Sequence, residues 1–341
     1  MNEFQLKKRY SNSDLQQFAD IVNSMQEEID FKVSARGWAY LLEGRRLINK
    51  DQFDKVATLI NDCRKKGFLP IDFVAEESAR QFNGVVHPDK NDVIQDAAGF
   101  LRGFLNAPEH YNPDWWDGEE YYIQMVVEKI DLVTLFQPIC EEYFIPIANA
   151  KGWSSILQRA EYSRRFKEAQ KKGLKCVLLY CGDHDPDGLR ISEFIRKNLE
   201  DVSEVQWGDG TTGYNPADLI IERFGLNYDF IQKHNLTWID NLITGSSKNL
   251  ASPAHKNHMM PYVQAYLKTI GERKCEANAV ITMPDAARKL VRDVIEAYLG
   301  VDALGRFEAK REAVRAQFKE FMERSGLDES IEEALRLIDE E

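Results

Sequence analysis

The sequence predicts an α/β fold: a helical, winged-helix-like N-terminal domain, a doubly wound and mostly parallel sheet, and a helical C-terminal extension. Three observations predict it. Short amphipathic helical patterns follow one another before Pro70. Apolar strand-like runs then alternate with helical patterns from Tyr121 to Leu199, as in a sheet whose crossovers are helices. From Pro284 onward the pattern is helical.

Ser13 to Glu28 sets Leu15, Phe18, Ile21, Val22 and Met25 near a 3.6-residue period. Ser34 is placed to cap a second helix running through Leu42. Asp51 to Lys66 carries Phe53, Val56, Leu59, Ile60 and Cys63 on one face; Gly67 ends it and Pro70 follows. Three short helices in a row suggest a helix-turn-helix or winged-helix module, expected over residues 1–110. Ala107 to Gly118, with Pro108, Pro113 and the Trp115-Trp116 pair, reads as a linker whose tryptophans pack against the domain behind rather than stack on bases. Strands are expected at Tyr121–Val127, Phe144–Asn149 and Lys175–Cys181. Helices are expected over Asp131–Tyr143, from Ser154 after a Lys151-Gly152 turn, and over Leu189–Leu199. The sheet domain is expected over residues 119–300 and the extension over 301–341.

With 341 residues, 43% hydrophobic and 29% charged, the chain suits a globular protein of about two domains. No stretch reaches the roughly 20 apolar residues of a membrane span, and no apolar leader follows Met1, so a cytoplasmic protein is expected. Cys63, Cys140, Cys176, Cys181 and Cys275 form no CxxC pair, which argues against a disulfide framework and a cysteine zinc site. The net charge of −12 counts against a simple electrostatic DNA binder. The charge is uneven, however. Asp328 to Glu341 is acidic, while Lys151 to Lys175 holds Arg159, Arg164, Arg165, Lys167, Lys171 and Lys172. That basic run is either a solvated helix face or a DNA track.

The chemistry-bearing segment is Gly182-Asp183-His184-Asp185-Pro186-Asp187-Gly188, where a strand ends and a helix is about to begin. Ligands of open α/β sheets bind outside the carboxyl ends of strands. Asp183 and Asp185, two apart in extended chain, point the same way, and His184 points away. Like charges so close call for a cation between them, and Mg²⁺ (or Mn²⁺) takes carboxylate oxygens while keeping waters that a phosphate displaces. A second acid, Glu128, ends the strand Tyr121–Val127 and meets the aspartates if the strands are neighbours; Glu128 and the Lys129 that follows it are candidate catalytic residues. Asp187 is either a further ligand or a loop residue, and the bland alternative for the whole motif is an Asp/Pro/Gly turn. Two other patterns are set aside. Gly208 to Gly213 fits GxGxxG, but Tyr214-Asn215-Pro216 delays any helix, so it reads as a turn. His255 and His258 lack further ligands at zinc spacing and read as surface histidines.

Glu128 at one strand end and Asp183-His184-Asp185 at another resemble the Toprim domain. Asp183 to Gly188 reads D-x-D-P-x-G, which is similar to the type IIB topoisomerase (topoisomerase VI) A subunit and the related meiotic double-strand-break transesterase. Ser34 to Tyr40 resembles that family's motif of an Arg followed four residues later by the nucleophilic Tyr, here Arg36 and Tyr40, with Gly37 and Ala39 departing from the usual pattern. Lys274 to Ala279 resembles its K-x-E-x-x-A signature. Trp115 to Lys129, Lys151 to Ser155 and Gly182 to Gly188 look more specifically like the compact stand-alone mini-A branch. The resemblance implies a DNA-cleaving, nucleoid-associated protein holding Mg²⁺ on Glu128, Asp183 and Asp185. It implies a 5′-phosphotyrosyl link to double-stranded DNA, and a homodimer in which the Tyr of one chain meets the metal of the other.

On a helix, Arg36 and Tyr40 share a face, so the guanidinium is placed to stabilise a phenolate and grip a phosphate. Tyr40 is otherwise an ordinary core or groove-lining aromatic on an amphipathic helix. Three functions follow as expectations: Mg²⁺-dependent strand transesterification through Tyr40, a Toprim nuclease using water, and a non-catalytic DNA-binding scaffold. No GxxxxGK[ST] motif is present, so ATP-driven strand passage needs a separate ATPase subunit.

Overall fold

The computed structural model describes residues 6–7, 10–75, 93–150, 156–243 and 249–340. The expected turn at Lys151-Gly152 and helix start at Ser154 lie outside the described residues. In chain order the helices before the sheet are α1 (Asn12–Gln26), α2 (Ala35–Gly44), α3 (Phe53–Lys65), α4 (Val93–Leu105) and α5 (Ala107–His110). Then come β1 (Tyr121–Val127), α6 (Ile130–Glu142), β2 (Ile147–Asn149), α7 (Ile156–Lys171), β3 (Lys175–Cys181), α8 (Ile191–Glu200), β4 (Ile220–Gly225), α9 (Tyr228–Lys233) and α10 (Pro261–Thr269). The chain closes with α11 (Pro284–Leu299), α12 (Ala303–Ser325) and α13 (Leu327–Asp339).

The fold is mixed α/β, built on a four-stranded parallel sheet of order β2-β1-β3-β4. The central strands read YYIQMVV and KCVLLYC and are buried along nearly their whole length. Such unbroken apolar runs are what a strand covered on both faces requires. Their one polar interior residue, Gln124, donates to the Tyr162 carbonyl, and the Tyr162 hydroxyl donates back to the Met125 carbonyl. From β1 the chain passes through α6 to β2 on one side, then through α7 to β3 on the other side of β1. The strand order therefore reverses between β1 and β3. Val127 and Cys181 are register partners there, so Glu128 and Asp183 emerge side by side at the switch point.

Two compact units make up the chain. One holds Met1–Ala79 with Glu120–Tyr298; the other holds Arg80–Glu119 with Leu299–Glu341. In the first, Ser11 caps α1 through a reciprocal bond with Asp14, and the Ser34 hydroxyl accepts from the Gly37 N–H to cap α2. Leu15, Phe18, Trp38, Leu59 and Ile60 are among the side chains forming the interior of α1 to α3. Asp131, at the start of α6, accepts hydrogen bonds from the Ser34 N–H and hydroxyl, so the helix bearing Arg36 and Tyr40 is fastened to the segment that follows Glu128. This closeness explains Gly37: a Cβ there would lie 2.4 Å from Val33 Cγ1 and 2.9 Å from Asp131 Oδ2.

In the second unit, Trp115 is buried against Phe307 with ring centroids 4.5 Å apart, the packing role expected of it. Arg306 pairs with Glu119 at 2.7 Å, and Arg102 on α4 pairs with Asp339 on α13 at 2.6 Å.

Some boundaries differ from the sequence reading. The strand expected from Phe144 begins at Ile147, because Phe144 takes a left-handed conformation (φ 53°) and its N–H still closes the end of α6 on the Glu141 carbonyl. A 3-10 turn, Gly188–Arg190, precedes α8. Strand β4 was not anticipated, its alternation being broken by Glu222 and Arg223. Among the described residues no helix is long and apolar enough to cross a membrane.

Candidate functional site

Glu128 stands one residue beyond β1. Its Oε2 accepts from the Asp183 N–H at 2.7 Å and from the Tyr180 hydroxyl at 3.3 Å. Asp183 Oδ1 accepts from the Ala277 N–H at 2.7 Å, and Asp185 Oδ1 accepts from the Gly188 N–H at 2.6 Å. The loop is held by Arg223 on β4, which donates to the carbonyls of Gly182, Asp183 and Gly188. Gly188 is required by this closeness, since a Cβ there would meet the Asp183 carbonyl oxygen at 2.2 Å. His184 turns away from the acids, as alternation predicts: its Nδ1 meets the Leu226 carbonyl and its ring lies among Tyr228, Trp238 and Tyr266. Asp187 accepts from the Tyr262 hydroxyl at 3.1 Å on the same cleft.

Lys129 supplies the cation in this arrangement. Its ammonium lies 3.1 Å from Asp183 Oδ2 and 3.4 Å from Glu128 Oε1. Burial opposes its charge, but the two carboxylates raise its pKa above the ordinary lysine value. Burial and the Glu128 charge push Asp183 up, while Lys129 and the Asp183 N–H offset burial to hold Glu128 below the usual carboxylate value. Burial, with the charges of Glu128 and Asp187 behind it, raises Asp185 to about 6. Among the described residues no three His, Cys, Asp or Glu side chains stand ready arranged around a metal position. The donor set of Glu128, Asp183 and Asp185 is nonetheless all oxygen and carries more negative charge than Lys129 balances, which is the chemistry a hard divalent cation such as Mg²⁺ or Mn²⁺ fits.

Tyr40 and Arg36 come to the same place from α2. The Tyr40 hydroxyl donates to Glu276 Oε2 at 2.6 Å, and Arg36 reaches the same oxygen at 3.2 Å. Lys274 lies 3.6 Å from Glu276 Oε1. Burial works against the Glu276 charge, yet the Tyr40 hydroxyl and the cations Arg36, Lys129 and Lys274 hold its pKa down to about 2. Burial first, then the Glu276 charge, raises the Tyr40 phenol well above its ordinary value. Glu276, Lys274, Lys129, Glu128, Asp183 and Asp185 line one cleft of about 590 Å³. The structure therefore gathers every predicted site residue within a single chain, whereas the family resemblance implies a Tyr that meets the acids of a second chain.

Glu276 was legible only as part of a signature; Tyr40 is buried (1% exposed), as the core alternative for it expects. The arginines of the basic run are largely engaged with acids: Arg159 with Asp201, Arg164 with Asp209 and Glu168, and Arg165 with Glu161. Gly208 to Gly213 is a turn closed by the Gln206–Thr212 bridge, and only the three-residue 3-10 turn Pro216–Asp218 follows before β4. His255 is buried rather than on the surface, its Nδ1 accepting from the Asn257 N–H, and His258 Nδ1 meets the Leu250 carbonyl. No protein-family model, curated protein or solved structure matches the chain.

Proposed function

We propose that this protein cleaves double-stranded DNA by tyrosine transesterification, as a topoisomerase VI A subunit does, but with Tyr40 of a winged-helix-like module and Glu128, Asp183 and Asp185 of a Toprim-like sheet acting within one chain. The observation that carries the reading is the convergence of Tyr40 and Arg36 on the cleft that the three acids line.

A DNA phosphate entering the cleft competes with Glu276 for Arg36 and Lys274. Drawing those cations away raises the affinity of Glu276 for a proton, and Glu276 then takes the phenolic proton across the existing hydrogen bond. The Tyr40 oxygen bonds to phosphorus as the P–O3′ bond breaks, and Lys129 gives a proton to the departing O3′. Arg36 holds the phosphate oxygens in a forked contact. A divalent cation on Glu128, Asp183 and Asp185 would supply charge neutralisation at the phosphate and its leaving oxygen. The product is a 5′-phosphotyrosyl link, reversible because no water has been consumed. A homodimer cuts both strands; passage of a second duplex calls for a separate ATPase subunit.

One observation favours a second reading. The Tyr40 ring is buried and its proton is firmly held, so the acids would instead direct water at the phosphate and Tyr40 would be structural. The test is a detergent-quenched reaction on supercoiled plasmid with Mg²⁺, comparing the wild type with Tyr40→Phe and Asp183→Ala. Protein left on DNA ends by the wild type alone supports transesterification. Cutting that survives in Tyr40→Phe but not in Asp183→Ala supports the hydrolase. No cutting by any of the three supports a binding scaffold.

A further inference from the structure

Lys50 is a half-buried lysine with an inaccessible ammonium, for which the mechanism above has no role. It opens the short 3-10 turn Lys50–Gln52 that leads into α3, a turn fixed by the Gln52 side chain accepting from the Asn49 N–H. Its ammonium is inaccessible and has no hydrogen-bond partner among the described residues. It lies over the face of the Tyr40 ring, 4.8 Å from the centroid, and 5.4 Å from that of Phe53. The two rings meet edge to face at 4.8 Å, so Lys50 is held above both.

A desolvated ammonium without a hydrogen-bond acceptor is costly, and replacing it with an apolar side chain is generally tolerated. The offset here is the ring faces, which attract a cation more strongly when water is excluded. The titratable groups around it are Arg36 and Glu43 on α2, and Glu276 with the neutral Cys275 thiol on the segment that follows α10. Burial lowers the Lys50 pKa, and Glu43 and Glu276 act in the opposite direction. The groups acting on Tyr40 are Glu276, Arg36 and Asp183, and the two acids oppose a phenolate.

We propose that Lys50 is a positioning residue for the nucleophile: its ammonium, seated on the Tyr40 ring face, stabilises the phenolate through the ring and leaves the hydroxyl edge open to the phosphate. Phenolate charge is delocalised into the ring, so ionisation turns a cation–quadrupole attraction into a cation–anion one at the same 4.8 Å. Arg36 acts at the hydroxyl edge and Lys50 at the face, so the two cations do not compete for one contact.

The inference rests on Tyr40 being the nucleophile, and the test separates the two ideas. Tyr40 is replaced with a trifluorotyrosine, whose acidic phenol ionises in an accessible range, and its absorbance is titrated with Lys50, Lys50→Arg and Lys50→Met. An opposite charge at this distance shifts an ionisation by about 1–3 units. The Lys50→Met phenol is therefore expected to titrate at least about one unit higher, with Lys50→Arg close to wild type. An unchanged titration in all three overturns the proposal. In the protein with ordinary tyrosine, the pH profile of adduct formation is expected to shift the same way in Lys50→Met, with roughly tenfold slower reaction at neutral pH. A shifted titration with no covalent adduct even in the wild type upholds the Lys50–Tyr40 coupling and refutes the transesterase reading.

Discussion

The Tyr40 hydroxyl donates to Glu276 Oε2 at 2.6 Å, and donor and acceptor belong to one chain. This bond ties Tyr40 to an acid that lines the cleft, and in the proposed mechanism it keeps the phenol protonated until something displaces the cations that stabilise Glu276. Glu276→Gln keeps the shape and removes the proton acceptor. Adduct formation should fall by roughly 10²-fold or more, the scale of a lost general base. Single-turnover kinetics would read this; an unchanged rate would remove Glu276 from the proton path.

Because Tyr40, Arg36 and the acids converge within one chain, the account predicts that chemistry is completed in cis. Tyr40→Phe and Asp183→Asn proteins, mixed and allowed to exchange partners, should stay inactive. Recovery of cleavage in the mixture would mean that the working site pairs the Tyr of one chain with the acids of another.

Gly37 permits α2 to lie against Asp131. A helical Gly→Ala change ordinarily stabilises by up to about 1 kcal/mol. Here the added methyl would press on Val33 Cγ1 at 2.4 Å, so Gly37→Ala should instead destabilise by about 1–3 kcal/mol. Chemical denaturation measures the difference, and a stabilised variant would contradict the close approach.

Asp185 gives a pH dependence with a definite sign. Its folded pKa of about 6 lies above the ordinary aspartate value of 3.8 that holds in the unfolded chain, so between those values the folded state holds more protons than the unfolded one. Stability contributed by this group is therefore present at low pH and is lost as pH rises from about 4 to about 6. In chelator, the wild-type melting temperature should decline across that window more steeply than that of Asp185→Asn. Adding Mg²⁺ above pH 6 should restore it by binding the ionised acids.

The α/β class, the two central strands and the acids at their ends were legible because continuous apolar runs and a D-x-D pattern are local properties of sequence. Helix α2 and its Ser34 cap were legible for the same reason. The partner of Tyr40 was not, because Glu276 lies 236 residues away and reaches it only through the fold. Lys129 stood out as a catalytic candidate by its place after Glu128, but the position of its ammonium between two carboxylates from different strand ends comes only from the fold. Strand β4 escaped because Arg223 and Glu222 serve side-chain tasks, bracing the Asp183 loop and accepting from the Tyr298 hydroxyl, and so interrupt the apolar pattern. Long-range polar pairings leave no periodicity.

The central claim is that Tyr40 attacks the phosphate. The most direct measurement is mass spectrometry of the wild-type protein quenched with detergent during reaction with Mg²⁺ and duplex DNA, then digested with nuclease and protease. The expected product is a peptide containing Tyr40 with a nucleotide 5′-phosphate attached to its oxygen. Cleaved DNA together with unmodified Tyr40 would contradict it.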